Sequence, residues 1–135
     1  MKLIIENEAV IGYEYEYDKE IIIPDGVKII CHCVFCDYTS LESITIPDSV
    51  TIIGDSAFYG CKSLTSVTIG NGLKIIGYKA FMNCKSLTNI TIPDSVSIIG
   101  DWAFYGCKNL VVHCHEGSYA EHYCIENGIK YEVIE

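Results

Sequence analysis

The stretch GDSAFYGCKSL at residues 54–64 returns as GYKAFMNCKSL at residues 77–87 and as GDWAFYGCKNL at residues 100–110. A second stretch repeats with it, since LESITIPDSV at residues 41–50 and LTNITIPDSV at residues 87–96 differ at only two positions. Self-similarity with a fixed period of roughly 20 to 50 residues is typical of a solenoid, whose coils bury their apolar faces against one another. The 23-residue period therefore predicts a repeat protein built from stacked coils.

Each coil is predicted to contain a short strand, a turn and a second apolar segment. At residues 44–46 the order Ile-Thr-Ile places two isoleucines inward and the threonine outward, and stacked strands of this kind form a parallel sheet. Pro, Asp and Ser at residues 47–49, and Gly, Asn and Gly at residues 70–72, carry turn chemistry. Residues 50–53 then supply the second apolar segment.

The segment that follows is predicted to form a short helical or 3₁₀ turn. Asp55 and Asp101 stand where a carboxylate can cap such a turn, and Gly60 and Gly106 stand where glycine can end it. Tyr78 interrupts this capping pattern in the middle coil. The predicted architecture is therefore an α/β repeat solenoid with parallel strands and short helical turns.

Cys61, Cys84 and Cys107 follow this turn and precede the next strand by three residues. They recur in register with apolar positions, namely Ala57, Ala80, Ala103, Phe58, Phe81, Phe104, Leu64, Leu87 and Leu110. Because free cysteine behaves as a small hydrophobe, we expect the three thiols to lie in the core. Stacked identical positions point their Cβ atoms in parallel, which disfavours disulfides. One thiol per coil does not match the close ligand pairs of zinc sites.

Both ends of the array are predicted to be closed by caps, because an end coil would otherwise expose its core. The predicted boundaries are an N-terminal cap at residues 1–20, about four repeats at residues 21–117 and a C-terminal cap at residues 118–135, all in one domain. In the first cap, residues 13–17 alternate tyrosine with glutamate and can pair with residues 3–5 as a hairpin. Closed ends favour a complete small protein or an autonomous terminal piece.

The C-terminal cap is predicted to be a helix. Ser118 with Glu121 fits a capping box, and Asn127 followed by Gly128 gives a stop. Helical spacing relates Ala120, Tyr123 and Cys124. An extended stretch at residues 129–134 is expected after the helix.

The charge balance excludes several classes of partner. Nine lysines and no arginine stand against 18 acidic residues, which gives a formal charge of -9. Because nucleic acids and anionic membranes both attract basic surfaces, neither is predicted as a partner. No apolar run has the roughly 18 residues of a membrane span. Glu6 and Glu8 interrupt the N-terminal stretch where a signal peptide needs an unbroken apolar region.

The repeat resembles the BspA-like leucine-rich repeat, a bacterial and protist variant of the leucine-rich-repeat solenoid. The resemblance rests on the pattern IPDSV-x-x-I-G-x-x-AF-x-x-C-x-x-L-x-x-I over residues 21–110. The tail GSYAEHYCIENGIKYEV at residues 117–133 is similar to the terminal cap of that family. The resemblance implies a curved, right-handed solenoid with a binding role, often within surface proteins that contact host or matrix proteins. It does not imply catalysis, and no cofactor is expected.

The first coil departs from the pattern and carries a cysteine cluster. Cys31, Cys33 and Cys36 have C-x-C and C-x-x-C spacings, and Tyr38 takes the place of the repeat cysteine. Alignment with the later coils predicts that Cys33 and Cys36 are exposed. Thiols at these spacings can surround a zinc ion, with His32 as a fourth ligand, and exposed thiols near a histidine can be redox-reactive. A zinc or redox module built on this cluster is therefore an alternative hypothesis.

The pattern His113-Cys114-His115 in the last strand has two interpretations. These residues can bind a metal, but as a fourth ligand to the first-coil cysteines they would lie several coils away, tens of ångströms at a rise of about 4.8 Å per coil. Alternatively, the histidines help to seal the final coil, with one strand face pointing inward and the other outward. We favour the sealing role.

Two surfaces are predicted to bind a protein partner. The first is the outward strand face, a set of small hydrogen-bonding side chains: Ser43, Thr45, Ser66, Thr68, Asn89 and Thr91. The second is the outward side of the turns, where two columns align: Ser56, Lys79, Trp102 and Tyr59, Met82, Tyr105. Trp102 with Tyr105 is the favoured anchor, because Trp and Tyr are enriched at binding hot spots. The competing interpretations are that the strand face simply faces water and that Trp102 packs against the C-terminal helix.

The sequence as a whole predicts a non-enzymatic protein-interaction module. It contains no nucleophile elbow, phosphate loop or HExxH motif. A solvated acidic run comprises Glu14, Glu16, Asp18 and Glu20. A structural spacer domain of a larger surface assembly is a further alternative. The family resemblance indicates the cell surface, whereas eight cysteines without a disulfide framework and the lack of a signal peptide favour a reducing interior.

Overall fold

The computed structural model describes residues 2–14 and 17–135 of the chain. It forms a β-solenoid of about five turns. Its parallel strands and C-terminal helix agree with the prediction. The strands are β1 (Lys2–Glu6), β2 (Ala9–Glu14), β3 (Glu20–Ile22), β4 (Ile29–Ile30), β5 (Ser43–Ile46), β6 (Ile52–Ile53), β7 (Ser66–Ile69), β8 (Ile75–Ile76), β9 (Asn89–Thr91), β10 (Ile98–Ile99), β11 (Val111–His115) and β12 (Tyr131–Ile134). The helix α1 spans Tyr119–Asn127.

The strands stack into two columns along the solenoid. One column is a six-stranded sheet in the order β1-β2-β4-β6-β8-β10. The other consists of two three-stranded sheets, β3-β5-β7 and β12-β11-β9. The register follows the repeat, since Ser43 pairs with Ser66 and Ile53 pairs with Ile76. Equivalent residues of successive coils therefore lie directly above one another.

The second strand column is interrupted between β7 and β9. The two strands are neighbours, yet they belong to separate sheets, and a groove lies between Val67 and Ile90. Val67 is 8% exposed, whereas Ile44 and Ile90 at the same repeat position are each 1% exposed. The predicted parallel sheet is therefore split into two shorter sheets on this side of the molecule.

The segments predicted as helical or 3₁₀ turns are successive β-turns. The N–H of Ala57 donates to the carbonyl of Gly54 at 3.2 Å, and that of Cys61 donates to the carbonyl of Phe58 at 3.1 Å, so that Ser56 and Gly60 are the third residues of these turns. Ser56 has φ 55° and Gly60 has φ 74°, both in the left-handed region. A left-handed residue in the third position is characteristic of a type II turn and breaks a helix. The helical prediction for these segments was therefore wrong.

Asp55 does not cap its own turn. Its carboxylate Oδ1 accepts a hydrogen bond from the backbone N–H of Tyr78, in the next coil, at 2.9 Å. Asp48 does the same for Asn71 at 2.7 Å. These aspartates connect successive coils. Tyr78, which was predicted to interrupt the capping pattern, donates the backbone hydrogen bond to Asp55. Asp101 holds the equivalent position in the last coil.

Phenylalanine rings form a ladder through the core, with centroid separations of 5.4, 5.1 and 5.6 Å. The ladder comprises Phe35, Phe58, Phe81 and Phe104. Gly77 lets neighbouring coils approach closely, because a Cβ there would lie 2.6 Å from the backbone nitrogen of Asp55. The phenylalanine and glycine positions of the repeat are therefore packing positions.

The repeat cysteines lie in the core, as predicted. Cys61, Cys84 and Cys107 are buried, and each Sγ donates to a phenylalanine carbonyl of the preceding coil, at 3.1, 3.2 and 3.2 Å respectively. The acceptors are Phe35, Phe58 and Phe81. Burial raises the pKa of Cys61 to about 12 and that of Cys107 to about 11, and it raises the pKa of Cys84 as well. The column therefore holds protonated thiols that link one coil to the next.

The N-terminal hairpin is present, but its second strand begins earlier than predicted. β2 spans Ala9–Glu14, whereas the strand was predicted at residues 13–17; Tyr15 and Glu16 lie outside the described residues. β1 and β2 pair in antiparallel fashion, and the turn residues Asn7 and Glu8 have φ 51° and 65°. Two consecutive left-handed residues form the tight turn that suits a hairpin. β2 also pairs in parallel with β4, so the hairpin forms the first layer of the six-stranded sheet.

Aromatic side chains close the N-terminal end of the core. The Tyr13 ring stacks on Phe35 with a centroid distance of 5.7 Å. Tyr38, which replaces the repeat cysteine, donates from its hydroxyl to the carbonyl of Asp18 at 2.9 Å. Of the predicted acidic run, Glu14 and Glu20 are exposed and Asp18 is half-buried. The hairpin and the segment after it therefore cover the first coil.

The C-terminal cap is a helix with the predicted capping residues. The Ser118 hydroxyl accepts from the N–H of Glu121 at 3.2 Å, and the Glu121 carboxylate accepts from the N–H of Gly117 at 2.9 Å. Gly128 ends the helix with φ 67°. β12 then returns to pair in parallel with β11. Within the described ranges, no helix has the length and apolar character that crossing a bilayer requires.

Candidate interaction surfaces

The outward strand face consists of two polar strips. On β5 and β7 the register places four of the predicted residues side by side: Ser43, Thr45, Ser66 and Thr68. On β9, Asn89 and Thr91 face β11, where His113 Nε2 lies 2.9 Å from Asn89 Oδ1. All six predicted residues are at least partly exposed. The split between β7 and β9 separates them into two strips.

The exposed aromatic surface is concentrated at the last coil. Trp102 is 54% exposed and Tyr105 is 62% exposed, with their ring centroids 6.5 Å apart. Lys79 Nζ lies 4.9 Å from the ring centroid of Tyr78 and 5.4 Å from that of Trp102, which gives two cation–π contacts. The other members of the two predicted turn columns are half-buried: Ser56, Tyr59 and Met82.

A cleft of about 170 Å³ lies between the last turn and the C-terminal helix. It is lined by Trp102, Phe104 and Tyr105 on one side and by Tyr123, Asn127 and Ile129 on the other. One expectation was that Trp102 packs against the helix. The helix faces Trp102 across this cleft and leaves 54% of the residue exposed. We name this feature the aromatic cleft.

Three backbone donors beside the aromatic cleft have no hydrogen-bond partner within residues 2–14 and 17–135. In the turn segments, N–H groups of one coil donate to carbonyls of the next, as Phe58 does to Ala80 and Phe81 does to Ala103, both at 2.8 Å. In the last coil, the equivalent N–H groups have no hydrogen-bond acceptor among the described residues. They belong to Trp102, Phe104 and Gly106. The turn ladder therefore ends in an open row of donors.

The C-terminal helix closes the neighbouring edge of the six-stranded sheet. The Tyr119 hydroxyl accepts from the N–H of Ile99 at 3.3 Å, and the Tyr123 hydroxyl donates to the carbonyl of Gly100 at 2.9 Å. The two tyrosines are four residues apart and thus lie on one helix face. The cap therefore provides hydrogen-bond partners for backbone groups at the β10 edge, but none for the N–H groups of the last turn.

Sequence comparison identifies the repeat. The sequence model of the family described as the BspA type leucine rich repeat region matches residues 12–127, in six copies. The chain belongs to the BspA type leucine-rich-repeat family. No curated protein sequence matches it significantly.

Solved structures share the fold of this family member. A leucine rich cell surface protein from Faecalibacterium prausnitzii is similar with a TM-score of 0.73 and 33% identity, over 78% of this chain and 28% of that protein. A leucine-rich repeat protein from Bacteroides capillosus gives a TM-score of 0.69 and 27% identity, over 79% and 86% of the two chains. The T. pallidum leucine-rich-repeat protein gives a TM-score of 0.60 and 27% identity, over 78% of this chain and 62% of that protein. The chain thus spans about 28% of the length of the Faecalibacterium protein.

The first coil of this BspA type protein carries its three cysteines at or near the surface. Cys33 is exposed, and Cys31 and Cys36 are half-buried. Within residues 2–14 and 17–135, no three His, Cys, Asp or Glu side chains gather into a group that could hold a metal ion. The geometry therefore does not assemble the first-coil thiols and His32 into the zinc site considered as an alternative.

The last strand separates the His-Cys-His residues onto two faces. Cys114 points into the core with 0% exposure, whereas His113 and His115 lie on the outward face. His115 Nδ1 lies 2.9 Å from Asp94 Oδ1, and His113 contacts Asn89 as described above. Each histidine therefore binds a side chain of the preceding coil, which agrees with a role in closing the last coil.

Proposed function

We propose that this BspA type repeat protein is a non-enzymatic protein-interaction module, with the aromatic cleft as its main contact site. The observation that carries the proposal is the exposed Trp102–Tyr105 pair beside a row of unpaired backbone donors. Aromatic side chains in partly enclosed clefts supply a large share of binding energy at protein interfaces. The open N–H groups suit the carbonyls of a partner backbone, as in recognition by added extended segments.

The two polar strips provide a second, weaker contact area. Their hydroxyl and amide groups are exposed and lie in register, so they can exchange hydrogen bonds with an extended partner. Hydrogen-bonding groups that remain hydrated in the free protein contribute little net energy on binding. The strips are therefore proposed to orient the partner, while the aromatic cleft supplies most of the affinity. The net charge of -9 favours a basic partner segment.

The proposed setting is the cell surface, with a role of the adhesin type. Support comes from the similar Faecalibacterium protein, which is described as a leucine rich cell surface protein. The partner of such a module would be a protein, and neither nucleic acid nor membrane insertion is part of the proposal.

Binding to purified extracellular-matrix and serum proteins tests the proposal. The chain is immobilised, and a panel of such proteins is passed over it in surface plasmon resonance. We expect at least one to bind, and the double substitution Trp102→Ala with Tyr105→Ala to weaken that binding by about tenfold or more, since each lost hot-spot residue costs more than about 1 kcal/mol.

Two further variants sharpen the result. Ile125→Ala removes an apolar side chain that is 59% exposed on the helix and does not line the aromatic cleft, so it should leave binding unchanged. Ser66→Glu with Thr68→Glu alters a polar strip and should reduce binding less than the aromatic double variant. Equal binding by all variants, or no binding across the panel, would favour the spacer role instead.

A further inference from the structure

Two first-coil cysteines occupy the ends of one β-turn. The N–H of Cys36 donates to the carbonyl of Cys33 at 3.1 Å, which makes them the first and fourth residues of the turn. The Cα atoms of such residues lie within about 7 Å of each other. A disulfide requires a Cα separation of about 4.4 to 6.8 Å. The backbone of this turn therefore brings the two cysteines within bridging range.

Their side chains also leave the turn on the same side. The two residues between them point inward, since Val34 is 9% exposed and Phe35 is 0% exposed. The equivalent end positions of the last coil are Trp102 and Tyr105, whose ring centroids lie 6.5 Å apart. Because the coils repeat, side chains at these two turn positions are neighbours in the first coil as well. The two thiols therefore lie next to each other on the outer surface.

The local environment of Cys36 agrees with this neighbour. Burial raises the pKa of the Cys36 thiol, and the adjacent Asp37 carboxylate and the Cys33 thiol raise it further. The Cys36 Sγ lies 3.8 Å from Asp37 Oδ2. Because Cys33 is exposed and Cys36 is half-buried, Cys33 is the more accessible sulfur for an incoming reagent.

We propose that Cys33 and Cys36 are a redox modification site that closes into a reversible disulfide by exchange with a small-molecule disulfide. The Cys33 thiolate attacks one sulfur of the reagent, whose S–S bond breaks and releases one small thiol. The Cys36 thiolate then attacks the Cys33 sulfur of the mixed disulfide and releases the second small thiol. Two protein thiols are oxidised and one small disulfide is reduced, and the two protein protons end on the two released thiols.

Selectivity follows from the positions of the other cysteines. The remaining thiols outside the first coil are buried: Cys61, Cys84, Cys107, Cys114 and Cys124. Cys31 begins the preceding turn, since the N–H of Val34 donates to its carbonyl at 3.3 Å, and it stands at the position that Gly54 holds in the next coil, where successive backbones approach closely. Reaction with a small disulfide should therefore stop after one intramolecular bridge.

Exposure of the folded, reduced chain to glutathione disulfide tests the proposal. We expect the intact mass to fall by two hydrogen atoms, two of the eight thiols to disappear, and peptide mapping to join Cys33 to Cys36. Dithiothreitol should restore the starting mass. Circular dichroism before and after checks that the fold is retained.

Single substitutions separate the proposal from simple surface reactivity. Cys36→Ser removes the resolving thiol, so a mixed disulfide with one glutathione should persist on Cys33. Cys31→Ser is the matched control and should form the same bridge as the natural chain. A persistent glutathione adduct on the natural chain, or loss of the bridge in Cys31→Ser, would overturn the assignment of the pair.

Discussion

The cysteines of the repeat column and those of the first coil share a residue type but differ in chemistry. Cys61, Cys84 and Cys107 lie inside the solenoid and donate hydrogen bonds to the preceding coil. Cys33 and Cys36 lie on the outside of the first turn. The difference arises from their position in the coil, because the column position points into the core and the turn ends point to solvent.

The end of the array explains why the first coil breaks the pattern. A column cysteine needs a carbonyl in the preceding coil, and the first coil has no regular coil before it. Tyr38 takes that place, and its longer side chain reaches the carbonyl of Asp18. In the same way, Tyr13 supplies the ring that stacks on Phe35. Residues at the end of the array are thus selected by contacts with the cap.

Thiol labelling should show the largest difference between the two cysteine regions. Column thiols react only when the fold opens, so their labelling rate falls by the opening equilibrium constant. For a domain with ordinary stability this factor is at least about 10³. Cys33 should label at a rate close to that of a free thiol. Peptide mapping after timed exposure to a maleimide measures both rates.

Denaturant provides the control for labelling. In concentrated guanidinium chloride the two classes should react at similar rates, because the column is then exposed. If Cys84 labels as fast as Cys33 in the native protein, the column is not a closed core.

Alkaline pH should destabilise the protein through the same column. Native pKa values of about 12 for Cys61 and about 11 for Cys107 exceed the ordinary value of 9.0, so only the unfolded chain ionises at pH 10. Unfolding then releases protons, and stability falls as pH rises from 9 towards the native values; below pH 9 it is fully present. Each column thiol contributes a loss of about 1.4 kcal/mol at pH 10, or about 4 kcal/mol for three.

Cys84→Ala isolates this effect from the titration of tyrosine and lysine. Between pH 9 and pH 10 the variant should lose about 1 kcal/mol less stability than the natural chain, because one ionising thiol is gone. Urea unfolding at each pH gives the two slopes. Identical slopes would mean that Cys84 ionises equally well in the native state.

The core could be predicted from the sequence because its determinants repeat. Each column position receives the same neighbour from the coils above and below, so the register of Cys84 with Phe81 and Leu87 predicted its burial. The helix cap was predicted from Ser118 and Glu121, since a capping box is a local pattern. Contacts set by period or by local spacing are thus readable from one sequence.

The turn conformation could not be predicted in this way. Ser56, Lys79 and Trp102 adopt left-handed φ values of 55°, 57° and 58°, although none of these residue types favours that region. The hydrogen bonds to the following coil are associated with this geometry, as in Lys79 N–H to the Asp101 carbonyl at 3.1 Å. Asp55 followed the local rule for a cap, yet its actual partner is 23 residues away.

The aromatic cleft depends on two features that no local pattern contains. Alignment of the repeats predicted that Trp102 and Tyr105 share the outer side of the turn. The cleft itself arises because, among the described residues, α1 and not another coil follows the last turn, and α1 packs on the adjacent sheet edge through Tyr119 and Tyr123. The unpaired N–H groups follow from the same end effect, so sequence reasoning that treated all coils as equivalent did not find them.

Replacement of a column cysteine by serine should have an intermediate effect on stability. Cys84→Ser keeps a donor for the Phe58 carbonyl but buries a more polar hydroxyl in an apolar site. The expected loss is about 1 to 3 kcal/mol in the free energy of unfolding. Comparison with Cys84→Ala in urea unfolding separates the cost of the polar group from the loss of volume.

The same substitution in the first coil should have the smallest effect. The Cys33 side chain is exposed and lies outside the core, so Cys33→Ser removes little buried contact. The expected change in the free energy of unfolding of the reduced protein is within about 0.5 kcal/mol. Urea unfolding in the presence of a reductant measures it alongside Cys84→Ser. A loss at Cys33 as large as that at Cys84 would mean that the first turn holds the solenoid end together through this thiol, and the contrast between the two regions would no longer follow from burial.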